Sequence, residues 1–131
     1  MHMTKWHGDG HKRKITGGKR SNYGKKNHER GGYPAETQIG ETVRLFKRSK
    51  GSVNKQKLLK VKFANVTNPE TKETKRVQVF EVVRNPVSVD YNRRNIITKG
   101  TIIETDLGEA TVTSRPGQAG IINAVLRRST E

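Results

Sequence analysis

The sequence predicts a mainly β protein: a small antiparallel β-barrel-like domain with a basic, extended N-terminal arm. Three observations predict it. Aliphatic side chains are scarce before Thr42 and then recur in short alternating or β-branched runs. Gly, Pro, Asn and Asp interrupt those runs too often for a long helix. Positive charge is gathered in one half: residues 1–62 hold 17 Lys and Arg against four acids, and residues 63–131 hold 10 against eight. The chain therefore divides into an arm, residues 1–38, and a folded domain, residues 39–128.

The composition bounds this reading. The 131 residues allow one domain, and 30% hydrophobic content with a mean hydropathy of −0.89 is too little for the full length to pack as one globule. A polycation of net charge +15 repels itself and is stabilised against a polyanion, of which nucleic acid is the commonest. The chain has no cysteine, which excludes a disulfide framework and a thiolate metal site and fits a reducing cytosol. No apolar run approaches the roughly 18 residues of a membrane span, and no signal-peptide core follows the N-terminus. The basic segments lack the apolar face of a membrane-surface helix, so no membrane partner is expected.

The elements follow in order. In the arm, glycines recur among Lys12, Arg13, Lys14, Lys19, Arg20, Lys25, Lys26 and Arg30, with no hydrophobic period. The cations would neutralise phosphates, and glycine lets backbone approach closely. Trp6, Tyr23 and Tyr33 either stack on unpaired bases or cover a barrel edge. From Thr42 to Lys47, Val43 and Leu45 alternate with Arg44, and Ser49 to Ser52 is a turn. From Lys57 to Val66, alternation puts Leu59, Val61 and Phe63 on one face and Lys60 and Lys62 on the other. That lysine face is either edge protection or a second phosphate-contacting surface; the second is adopted, extended by Arg44, Lys47 and Arg48 if the strands pair. Arg76 to Arg84 is a β-branched and aromatic strand that Asn85-Pro86 stops. Tyr91 to Asn95 and Ser114 to Gln118 read as polar, donor-rich loops, each either an RNA contact or a structural turn. Between and after them, Ile96-Ile97, Thr101 to Glu104, Ala110 to Thr113 and Ile121 to Leu126 read as short strands, with a hairpin turn at Asp106 to Glu109.

Catalytic and metal chemistry find little footing. The folded half has no His to act as base, and no nucleophile-elbow, Walker or zincin pattern occurs. Glu104, Asp106 and Glu109 read as a solvated hairpin tip rather than paired catalytic carboxylates. His2, His7 and His11 with Asp9 match no standard ligand spacing. The expectation is a binding protein with no cofactor, no metal and no small-molecule substrate.

Longer motifs carry a family resemblance. Thr16-Gly17-Gly18-Lys19-Arg20, Lys25-Lys26 and Pro34 to Gly40 stand in the arm and its exit. Asn85-Pro86, Tyr91 to Gly100, Ile102 to Thr105, Val112 to Gln118 and Asn123 to Leu126 follow in order. Together they resemble the S8e family of ribosomal proteins from the archaeal and eukaryotic small subunit, in its short archaeal form. The resemblance implies a barrel-like domain with a basic extension, bound to small-subunit ribosomal RNA among neighbouring small-subunit proteins in the cytoplasm. It implies no catalysis. Its matching basic positions are Lys19, Arg20, Lys25, Lys26, Arg30, Arg93, Arg94, Lys99 and Arg115. This chain departs from the family's dense basic run at Ser21 to Gly24 and at Asn27-His28.

Overall fold

The computed structural model describes residues 5–21 and 24–127 and divides between Pro34 and Ala35 into two units. In the first, short 3-10 turns occupy Asp9–His11 and Asn27–Glu29. Trp6 and Arg30 form an isolated antiparallel bridge. Beside it the His7 N–H donates to the Glu29 carbonyl (2.8 Å) and the Gly31 N–H to the Lys5 carbonyl (2.7 Å). The intervening residues thus leave and return through one pinned base. Only glycine fits at position 31, because a Cβ there would lie 2.6 Å from the Lys5 carbonyl oxygen. None of the described residues of this unit is buried.

The described residues of the second unit form eight strands and two short helices joined by turns and loops. β1 (Gln38–Ile39), β2 (Val43–Arg48) and β3 (Asn54–Val61) make a sheet in the order β1-β3-β2. β4 (Phe63–Thr67), β5 (Thr74–Arg84), β6 (Ile102–Thr105), β7 (Gly108–Val112) and β8 (Asn123–Leu126) close a barrel in chain order. Its consecutive pairings are antiparallel, but β4 and β8 pair parallel. The mainly β, barrel-like expectation holds, with that one departure from antiparallel order. The reason is parity: five strands alternating in direction leave the first and last pointing the same way.

The core joins both sheets. Val66, Val79, Ile103, Val112 and Ile122 pack with Leu58 and Val61 of β3, all nearly inaccessible. Strand alternation explains the barrel: Ala64 and Val66 face in, so Phe63 and Asn65 face out; Val77 and Val79 face in, so Arg76 and Gln78 face out.

Several local expectations need correction. β2 buries nothing: Val43 and Leu45 are about half exposed and Phe46 is 64% exposed, because β2 is the outer strand of its sheet. Between Lys57 and Val66 the phase is shifted. Leu58 and Val61 are buried and Phe63 is exposed. The β2–β3 register slips at Leu59, where Val43 faces Lys60 but Arg44 faces Leu58, and the strand breaks at Lys62. An extra residue in one strand turns the following side chains to the other face. The same device twice in β5 expels Phe80 and Val83, one from each apolar pair. Residues Val89–Arg93 form a helix, α1, capped by the Ser88 hydroxyl, which accepts from the Asp90 N–H (3.2 Å). Pro116–Ala119 form a helical turn, α2, ended by Gly120 at φ +71°. Both segments read as loops from sequence because neither is long enough to show a helical period.

Candidate nucleic-acid interface

The first unit presents its cations to solvent. Lys12, Arg13, Lys14, Lys19, Arg20, Lys25, Lys26 and Arg30 are all exposed. Some are positioned by neighbours. Lys12 pairs with Asp9 at 2.8 Å, and Arg13 donates to the Gly17 carbonyl at 3.0 Å. A tight turn runs from Lys14 to Gly18: the Lys14 N–H donates to the Gly18 carbonyl, and Gly17, at φ +81°, returns a bond to Lys14. The Lys25 ammonium lies 5.6 Å from the Trp6 ring centroid, and the Arg30 guanidinium lies 5.2 Å from that of Tyr33, whose hydroxyl it also bonds. These contacts hold flat rings beside positive charge, and rings can stack on unpaired bases while cations meet phosphates. Tyr23 lies outside the described residues.

In the second unit the candidate residues are dispersed. Lys60 sits in β3 opposite Gln38 and Val43. Lys62 stands at the break between β3 and β4, its ammonium 5.7 Å from the Phe63 ring. β2 and β3 do pair, and their register sets Lys47 directly opposite Lys55, two like charges whose repulsion an anion would relieve. Arg93 is exposed on α1. Arg94 caps that helix and is engaged: its guanidinium bonds Glu36 and, at 3.3 Å, Asp90. The hydrogen bond to Glu36, then that to Asp90, raises the Arg94 pKa above its ordinary value. Arg94 thus stays charged and joins the start of the domain to α1. Lys99 is the exposed tip of the Thr98–Thr101 turn, in which Gly100 at φ +88° bonds the Val112 carbonyl. Arg115 is exposed ahead of α2, and its carbonyl accepts from Gln118 and Ala119.

A groove between the small sheet and the barrel brings together residues that the site reading did not pair. Its volume is about 290 Å³, and its lining includes Arg44, Phe63, Asn65, Arg76 and Gly120 above an apolar floor of Leu58 and Val61. The Arg76 guanidinium lies 4.6 Å from the Phe63 ring centroid. The Arg44 Nε donates to the Gly120 carbonyl at 3.1 Å, a contact across 76 residues. Local sequence offers one signal for this cluster, the odd phenylalanine outside the buried phase of β4, and that signal appears only once the register is known.

The acidic hairpin is a structural turn. Glu104 faces Glu109 across β6 and β7, Asp106 accepts from the Gln78 N–H (3.1 Å), and Glu109 approaches Arg127 (3.8 Å), all exposed. Among the described residues no three His, Asp or Glu gather as metal ligands; His2 and the His11 side chain lie outside them. No helix among the described residues is long and apolar enough to cross a membrane.

Comparison with known proteins adds to this geometry. The family model Ribosomal protein S8e matches residues 7–127. Small ribosomal subunit protein eS8 of Methanospirillum hungatei is 48% identical over 115 residues, 87% of this chain and 92% of the relative. Its namesake in Sulfolobus acidocaldarius is 46% identical over 118 residues, covering 88% and 92%. That of Hyperthermus butylicus is 46% identical over 127 residues, covering 95% and 93%. With the match running from the pinned loop through the strand that closes the barrel, the chain belongs to the Ribosomal protein S8e family.

Proposed function

We propose that this protein is a structural constituent of the small ribosomal subunit and binds its ribosomal RNA through the cations of residues 1–38 and the basic loops of the domain. The carrying observation is the exposure of eight arm cations, two of them (Lys25 and Arg30) beside aromatic rings, in a unit with no buried residue among those described. Lys and Arg neutralise phosphates and release counterions, which makes affinity depend steeply on salt. Lys60, Lys62, Arg93, Lys99 and Arg115 supply further phosphate contacts from the folded unit, and Arg94, tied to Glu36 and Asp90, adds its charge beside Arg93. The partners are small-subunit ribosomal RNA and neighbouring small-subunit proteins, on ribosomes in the cytoplasm. Family membership and the relatives' names support this reading, as does the lack of any catalytic pattern in the sequence.

The test is a salt titration of binding to small-subunit ribosomal RNA. The full chain is compared with a variant carrying Lys19→Gln, Arg20→Gln, Lys25→Gln and Lys26→Gln. Each lost phosphate contact lowers the log–log slope by about 0.7–0.9, so the four together lower it by roughly 3. An unchanged slope removes the arm from the interface. Equal affinity of the native protein for duplex DNA replaces the ribosomal reading with a general nucleic-acid-binding or chaperone role.

A further inference from the structure

We propose that the groove between the β1-β3-β2 sheet and the outer face of β4 and β5 receives one unpaired nucleotide of RNA. Its base stacks on the platform made by Phe63 and Arg76, and its phosphate meets Arg44. This rests on the RNA-binding reading above and extends it by naming a site and its occupant.

The platform follows from register. With Ala64, Val66, Val77 and Val79 turned into the barrel, Phe63, Asn65 and Arg76 share the outer face. Asn65 stands directly opposite Arg76 on one side and Asn123 on the other, and its amide bonds Asn123 at 3.2 Å. Phe63 is diagonal to Arg76, within reach for a long side chain, and their ring-to-guanidinium distance is 4.6 Å. A guanidinium over a ring is a flat, cationic surface, and both parts stack on nucleobases. Phe63 remains 38% exposed, outside the core.

The opposite wall is fixed. One of the five N–H donors of Arg44 is held by the Gly120 carbonyl, which seats the guanidinium at the groove. Gly120 itself is constrained: its φ is +71°, and a Cβ there would lie 2.8 Å from the Gln56 Cβ. Two arginines line the groove and no acidic residue does, so the complementary ligand is an anion. An acidic peptide would satisfy the arginines but leave the ring unused. A nucleotide uses both. At about 290 Å³ the groove stands at the small end of ligand sites, which run from roughly 300 Å³ upward, and so admits one nucleotide rather than a helix.

The experiment uses the full chain with small-subunit ribosomal RNA. Phe63→Leu keeps an apolar side chain but removes the stacking face. Stacking on an aromatic contributes about 1–3 kcal/mol per base, so affinity should fall about 5- to 150-fold. The salt slope should not change, because no charge is lost. Phe63→Trp should restore binding to within about threefold. Arg44→Gln should lower the slope by about 0.7. Ultraviolet cross-linking of the native complex, which needs no substitution, should join the peptide containing Phe63 to a nucleotide. If Phe63→Leu binds within twofold of the native protein, or nucleotides cross-link to other peptides of the chain but not to the one containing Phe63, the groove assignment is overturned. In that case, continued preference of the native protein for small-subunit RNA leaves the wider function standing. Loss of that preference in the native protein overturns the wider function as well.

Discussion

Residues 5–34 and residues 35–127 are held by different physics. The first set is tied by a few backbone hydrogen bonds at the Trp6–Arg30 bridge and by cation–ring contacts at its surface. The second buries a continuous set of Val, Ile, Leu and Ala side chains from the barrel and the small sheet. Burial contributes about 25 cal/mol per Å² of apolar surface removed from water, whereas exposed ion pairs contribute about 1 kcal/mol at most. Stability should therefore reside in the second unit and charge-dependent binding mainly in the first. The lesson is that charge density and fold stability are separately encoded along one chain.

The sharpest way to break this comparison is to open the core. Ile103 is fully buried at the centre of the barrel, and Ile103→Ala should cost about 2–5 kcal/mol in urea unfolding. A smaller loss is expected at Asn85, which is buried and ties three segments together. Its amide donates to the Ile96 carbonyl (2.7 Å), and its side-chain oxygen accepts from the Val87 N–H (3.0 Å) and the Thr98 hydroxyl (3.3 Å). Asn85→Ala should cost about 1–3 kcal/mol by the same measurement, since it leaves buried polar groups unmet. Gly120→Ala should cost about 1–2 kcal/mol for the left-handed backbone alone. It should also weaken RNA binding if the Gln56 collision displaces Arg44. The smallest effect on stability belongs to the four arm substitutions to Gln, expected to stay within about 0.5 kcal/mol while the salt slope falls by roughly 3. A large change in urea midpoint from those four would erase the distinction between the two units.

What the sequence discloses depends on how far apart the interacting residues are. The Asp106-Leu107 turn is legible because its chemistry is local: Gly108 takes φ +113°, and the Thr105 hydroxyl bonds the Gly108 carbonyl at 2.8 Å. The stop at Asn85-Pro86 is legible for the same reason. The helical turns carry weaker local signals, a Ser88 cap for α1 and Pro116 with Gly120 for α2, and only five and four residues to express them. The bulges at Leu59, Phe80 and Val83 are invisible to alternation, because each adjacent apolar pair fits either phase until the partner strand chooses one. The exposed β2 misleads similarly: its apolar residues alternate as if half buried, and only its place at the sheet edge leaves them out. Among the candidate residues, the arm cations are legible as a charge block. The Arg44–Gly120 contact and the meeting of Phe63 with Arg76 depend on tertiary closure, which no local pattern specifies.

The parallel pairing of β4 with β8 also sets an order in time. β8 is the last of the barrel's strands to leave a ribosome synthesising this chain, and until residues 123–126 have emerged, β4 and β7 each have an unmatched edge. Residues 5–34 are translated long before and do not need that closure for their own Trp6–Arg30 bridge. During synthesis the cationic segment is thus presented ahead of a finished barrel, and the nascent chain exposes its charge before it can bury its valines.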